Sequence, residues 1–238
     1  LRLDADLAAR GPAAIIAAVR EAAQRTGTDF GFLLAQARVE SGLEASAQAA
    51  TSSARGLYQF TKSTWLDMVE AHGARHGLGW AAEMLKSGAA RAGTAARETI
   101  LALRDDPVAA SLMAGELAQD NARALQARLG RTVGAAELYI AHFLGAGGAA
   151  KFLSALAETP GRAAANVVPA AAAANRSIFY DRAGGARSLA EVQTLLAGRL
   201  EKAGAGGSAL PAGGRMLPQP VAGDQARLAY LLLAELGA

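Results

Sequence analysis

Thr28-Asp29-Phe30-Gly31-Phe32-Leu33-Leu34-Ala35-Gln36-Ala37-Arg38-Val39-Glu40-Ser41-Gly42 has the pattern of a short, almost wholly buried helix that ends on a carboxylate. Thr28 is placed to cap it. Phe30, Leu33, Leu34, Ala37 and Val39 form its apolar set, and Gly42 falls where a helix C-terminus favours glycine. Glu40 then stands in the last turn, at the negative end of the macrodipole and among apolar neighbours. Both effects disfavour the charged form of a carboxyl group, which is the bias a general acid needs near neutral pH. Taken alone, the stretch fits a surface glutamate near a helix end better, so its surroundings have to decide.

Working outward, Pro12 starts a helix to about Gln24 with Ile15, Ile16 and Val19 on one side, and Gly27 breaks it. The loop 43–55 is small and polar, Gly56 to Phe60 reads as a short extended piece, and Thr61 caps a helix through Trp65 and Met68. Short helices are expected around 79–86 and 94–103. Asp106-Pro107 opens a long helix ending near Leu129-Gly130, and Thr132 caps another that ends at Leu144-Gly145. A further helix is expected near 149–157. Ser188 and Glu191 form a capping box for a last one to about Lys202.

Composition points the same way. Of the 238 residues 52% are hydrophobic but only 5% aromatic, and much of the apolar content is alanine, the strongest helix former. An all-α fold follows, with at most a very short β element. No apolar run approaches the roughly 18–20 residues that span a bilayer. The absence of cysteine excludes disulfides, thiol catalysis and Cys-ligated metals. A net charge of +3 suits an acidic polymer such as a bacterial wall and lacks the concentrated basic face of a nucleic-acid binder.

The company of Glu40 is more specific. Ala37-Arg38-Val39-Glu40-Ser41-Gly42 is followed by the loop 43–55, then by Gly56-Leu57-Tyr58-Gln59-Phe60 and Thr64-Trp65. This order resembles the soluble-type lytic transglycosylases (the SLT domain), a branch of the lysozyme-like superfamily that includes goose-type lysozyme. Their signature is Glu-Ser at a helix end, a short loop, a Gly-Leu-Met-Gln-like segment and a following helix. The run Thr51 to Phe60, with Tyr58 in place of methionine, is similar to a variant bacterial and phage subgroup. Downstream the family carries Ala-Tyr-Asn-Ala-Gly, where this chain has Ala141-His142-Phe143-Leu144-Gly145. With Asn175 to Asp181, the likeness covers about residues 12–182.

The resemblance implies a lysozyme-like fold and a mechanism with one essential carboxylate. Glu40 would protonate the glycosidic oxygen between N-acetylmuramic acid and N-acetylglucosamine in peptidoglycan. It would then deprotonate the muramoyl 6-hydroxyl, closing a 1,6-anhydro ring. No metal, nucleotide or other cofactor is required. Gln59 is a candidate donor to an acetamido group, Ser52 and Ser53 would meet the glycan from the loop, and Tyr58, Tyr139, His142 and Phe143 offer surfaces for sugar rings. Tyr180 and Arg176 would reach the groove from the C-terminal side. The bland alternative for each is a turn former or a core aromatic.

Other signals are weaker. His72 and His76 have zinc-like spacing on a helix, but Gly73 intervenes and no third ligand is evident, so no metal site is expected. Asp67, Glu70, Asp105 and Asp106 would be second carboxylates if the enzyme were a hydrolysing lysozyme. A glycan-binding or assembly module on a decayed catalytic scaffold is the non-enzymatic alternative. The expected organisation is a lead-in at 1–11, a lysozyme-like domain at 12–182, a helical extension at 183–203, a Gly/Pro linker at 204–223 and an apolar tail helix at 224–238. Peptidoglycan strands are the expected partner, and the setting is the bacterial envelope or periplasm, or a phage. The tail is a candidate dock for an envelope, flagellar or secretion-apparatus protein.

Overall fold

A computed structural model describes residues 11–50 and 52–204, so the linker from 205 on, the tail helix and most of the lead-in lie outside the described residues. The described chain is all-α. Its helices are α1 (Pro12–Thr26), α2 (Phe30–Ser41), α3 (Lys62–His72), α4 (Gly79–Lys86), α5 (Ala95–Ala102), α6 (Pro107–Leu129), α7 (Ala135–Glu158), α8 (Pro169–Ala174), α9 (Arg176–Phe179) and α10 (Leu189–Lys202). Extended structure among these residues amounts to isolated antiparallel bridges. Two of them, Gln48 with Arg55 and Arg55 with Phe60, lie in the segment after Glu40, where a very short β element was expected.

The chain divides into two compact units. One comprises residues up to Ala49 together with Ser53–Gln119, and the other Ala50–Ser52 and residues from Asp120 on. The single domain expected over 12–182 thus spans a division at Gln119, and the expected extension at 183–203 lies within the second unit.

In the first unit, helix ends follow side-chain chemistry. Pro12 begins α1 because a first-turn residue needs no intrahelical N–H, and Gly27 ends it in the left-handed region (φ 71). α2 is capped by Asp29, whose carboxylate accepts the Phe32 N–H at 2.7 Å. Thr28 was expected there; its hydroxyl instead donates to the Gly115 carbonyl at 3.0 Å. The exchange has a packing reason. Gly115 of α6 passes so close to α1 that a Cβ on it would lie 2.4 Å from the Thr26 hydroxyl oxygen. Buried Thr28 is thereby drawn onto α6, and Gln119 adds a bond from its amide to the Gly27 carbonyl at 2.9 Å. Together these fix the turn from which α2 springs.

α3 begins on Thr61, whose hydroxyl accepts the Thr64 N–H at 3.2 Å, as expected. Its Trp65 is fully buried, donates from the indole to the Ile100 carbonyl at 2.7 Å and meets Phe60 edge to face, centroids 5.3 Å apart. Phe32, Leu33, Leu57, Tyr58, Ile100, Leu112 and Met113 complete this core. α6 starts where Asp106-Pro107 predicts, with the Asp106 carboxylate accepting the Val108 and Ala109 N–H groups, each at 2.9 Å.

In the second unit α7 packs against α10. α7 is preceded by Gly134 rather than capped by Thr132, because Glu137 reaches back to accept the Gly134 N–H at 3.0 Å. The helices expected up to Gly145 and near 149–157 form one element, interrupted at Gly145 (φ 70, ψ 156). By length and composition α7 is long and apolar enough to cross a membrane, although Glu137 and Lys151 interrupt its apolar run. Its buried Leu138, Ile140, Phe152 and Leu153 are what the central helix of a helical unit presents. The Ser188–Glu191 capping box forms as predicted: the Ser188 hydroxyl accepts the Glu191 N–H at 3.2 Å and the Glu191 carboxylate accepts the Ser188 N–H at 2.7 Å.

Candidate active site

Glu40 is buried, 4% exposed, in the last turn of α2. Gly42 ends that helix with φ 62, and its N–H returns to the Arg38 carbonyl at 3.0 Å. Leu43 follows with φ 69, a conformation that costs a branched side chain energy. Among the described residues Leu43 and Gln59 (φ 48) are the non-glycine residues held at positive φ. Both flank the loop that leads from Glu40 to α3. Strain of this kind persists only where the surroundings over-determine it, and it gathers at functional sites.

Ser41 makes the connection. Its hydroxyl donates to the Leu57 carbonyl at 2.9 Å, with the Ala37 carbonyl at 3.1 Å, so the residue after Glu40 is bonded to the Gly56–Phe60 segment. That segment is a turn, not the extended piece expected. Gly56 (φ 83) and Gln59 reverse the chain, the Gln59 N–H closes on the Gly56 carbonyl at 3.1 Å, and the Arg55–Phe60 bridge seals it. The Gln59 side chain donates to the carbonyls of Ala47 (3.0 Å) and Gly56 (2.9 Å), which spends both amide hydrogens on the loop itself. Any bond from Gln59 to a ligand in this conformation would have to use its carbonyl oxygen.

The remaining candidates divide between the units. In the first, Ser53 is exposed, and its hydroxyl accepts the Lys62 N–H at 3.3 Å. Tyr58 is 1% exposed, so its ring is core and has no free face for a sugar in this conformation. Burial pushes the Tyr58 hydroxyl above the usual phenol range, with the Ser111 hydroxyl pulling weakly the other way. In the second unit, buried Tyr139 and His142 stack at 6.1 Å and buried Phe143 stacks on Phe179 at 6.3 Å. Phe143 is therefore a core aromatic. Tyr180 is half-buried, with the Arg176 guanidinium 4.6 Å over its ring. Ser52 also falls in the second unit.

The carboxylates considered as a second catalytic group have other employment or lie elsewhere. Asp105 takes a two-pronged bond from Arg55, at 2.7 and 2.6 Å, and Asp106 caps α6. Asp67 and Glu70 are on the exposed side of α3. His72 and His76 converge on the buried Glu116 carboxylate of α6, at 3.5 and 2.7 Å, with Arg75 at 3.3 Å on the same group. Glu116 is a partner that local spacing does not disclose. Among the described residues no cluster of three or more His, Cys, Asp or Glu has the arrangement of a metal centre. Another residue without a sequence signal is Arg104, a 5% exposed arginine whose guanidinium donates to carbonyls at both ends of the turn. No family model matches the chain.

Proposed function

We propose that the protein is a peptidoglycan lytic transglycosylase of the bacterial envelope, with Glu40 as its single acid and base. The observation that carries this is the Ser41–Leu57 hydrogen bond. It joins the buried Glu40 helix end to the Gly56–Phe60 turn, so the two halves of the transglycosylase-like sequence pattern are neighbours within one compact unit. The structural bonds of Asp105 and Asp106 favour a one-carboxylate mechanism over the two-carboxylate route of ordinary glycosidases.

The steps follow. The Glu40 carboxyl gives its proton to the glycosidic oxygen, and the bond from muramic C1 to that oxygen breaks. The N-acetyl carbonyl of the same sugar shares the positive charge that develops at C1. The Glu40 carboxylate next takes the proton of the muramoyl 6-hydroxyl, whose oxygen bonds to C1. The products are a 1,6-anhydromuramoyl end and an N-acetylglucosamine 4-hydroxyl, and no water is consumed. Wall remodelling during growth, or local opening for a flagellar or secretion apparatus, would use such a cut.

The test is mass spectrometry of purified peptidoglycan after digestion. Anhydromuramoyl products from the wild type, absent with Glu40→Gln, are expected. Reducing muramic ends would show a hydrolytic muramidase instead. If wild type and Glu40→Gln both sediment with peptidoglycan and neither releases products, the protein is a binding module.

A further inference from the structure

Arg104 follows α5 in a short 3-10 turn, next to Asp105 and two residues before the Asp106 cap of α6. A guanidinium so deeply buried is costly unless carbonyls or carboxylates take up its hydrogens. Here they do. Nη1 donates to the carbonyls of Ser53 at 2.6 Å and Phe60 at 3.1 Å, and Nε donates to the Leu101 carbonyl at 2.9 Å. Ser53 and Phe60 bracket the turn, so one planar group spans its two ends. The backbone of the same residue forms the floor beneath the turn, since a Cβ on Gly56 would lie 1.9 Å from the Arg104 carbonyl oxygen. The next residue, Asp105, accepts from Nε and Nη2 of Arg55, with both carboxylate oxygens on one edge of the guanidinium. Ser53, Arg55, Gly56 and Phe60 of the turn region thus rest on Arg104 and Asp105. Through Leu57 and Ser41, that support extends to the helix end that carries Glu40.

We infer that Arg104 is a positioning residue of the catalytic centre: it sets the height and tilt of the Ser53–Phe60 turn against Glu40. The inference rests on the transglycosylase reading of Glu40. Lysine should not replace arginine here, because an ammonium keeps the charge but lacks the rigid fork that spans two carbonyls while bonding a third. Misplacement of a reacting framework by a fraction of an ångström lowers the chemical step far more than it lowers binding through remote contacts.

The experiment compares wild type, Arg104→Lys and Ile15→Val. The Ile15 variant is a core control in α1 that loses a buried methyl. Release of anhydromuramoyl products is measured against peptidoglycan concentration well below each melting temperature, and backbone amide exchange is followed on the same samples. Arg104→Lys is expected to lower the maximal rate by at least about tenfold while the half-saturating concentration changes less than about twofold. Exchange should accelerate at Arg55, Gly56 and Gln59, whose N–H groups close the turn, but not at Leu33 in α2. Ile15→Val should keep the wild-type rate. A Lys variant with the wild-type maximal rate, or with unchanged exchange across the turn, overturns the positioning role while leaving the transglycosylase reading intact. A wild-type protein that cleaves no peptidoglycan overturns that reading, and the catalytic part of this inference with it.

Discussion

The hydroxyl of Ser41 donates to the main-chain carbonyl of Leu57 at 2.9 Å, so a side chain at the end of one helix is tied to a turn 16 residues later. Local helix geometry would satisfy Ser41 through Ala37 alone. The second acceptor makes the bond tertiary, and it links the residue after Glu40 to the turn.

Ser41→Ala leaves the part-buried Leu57 carbonyl short of a donor. The expected loss is about 1 kcal/mol of unfolding free energy, read from urea denaturation. The loss of peptidoglycan cleavage should be larger than that figure converts to, because the turn relaxes away from Glu40. Equal activity in the variant would mean that the bond is structural only.

Two glycines should respond differently to the same change. Gly56→Ala puts a methyl 1.9 Å from the Arg104 carbonyl oxygen at a φ of 83, so backbone has to move. A loss above about 3 kcal/mol is expected. Gly42→Ala, at φ 62 with nothing within 4 Å, should cost only about 1 kcal/mol. Paired denaturation curves decide this, and similar losses would contradict the close approach at Gly56.

Tyr58 predicts an alkaline limb in the stability curve. Burial raises its hydroxyl above the phenol range in the folded protein, so the folded state holds that proton more tightly than the unfolded chain does. The contribution is intact below the unfolded value of about 10 and is lost as pH rises beyond it. Tyr58→Phe should flatten this limb and change stability near neutral pH by less than about 1 kcal/mol. Melting temperatures across the alkaline range provide the check.

Glu137 predicts the opposite limb. Burial pushes its carboxyl up, but the Arg131 hydrogen bonds, the Gly134 N–H and the Arg131 charge together outweigh burial and hold it below the usual carboxylate range. Its contribution is present above the unfolded value and is lost as pH falls through the folded one. Arg131 is half exposed, so solvent screening keeps the pair below about 1 kcal/mol. Glu137→Gln should therefore shallow the acid limb slightly in thermal melts.

The helix boundaries show how much was legible in the chain. Pro12, Thr61, Asp106-Pro107 and Ser188 with Glu191 start helices where their local chemistry says they should. Each works through its own backbone or a group within three residues of it. Thr28 and Thr132 do not cap the helices that follow them, because a competing group lies outside that window or offers better geometry: Gly115 for the first, and the Glu137 return to Gly134 for the second. Gly56 to Phe60 looked extended because Leu57, Tyr58 and Phe60 are apolar and bulky. They are buried in a turn, which alternation cannot distinguish from a buried strand.

The site divides along the same line. The chain alone determined that Glu40 sits in a final helical turn before a glycine, and that an all-α scaffold surrounds it, because both depend on contacts a few residues long. Only the tertiary structure decided that Ser41 bonds Leu57, that Gln59 spends its amide hydrogens on the loop, that Tyr58 and Phe143 are core, and that Arg104 underpins the turn. Those outcomes depend on which buried hydrogen-bonding groups meet across long stretches of chain. Burial demands that such groups find partners, but which partners they find is settled only when the helices pack.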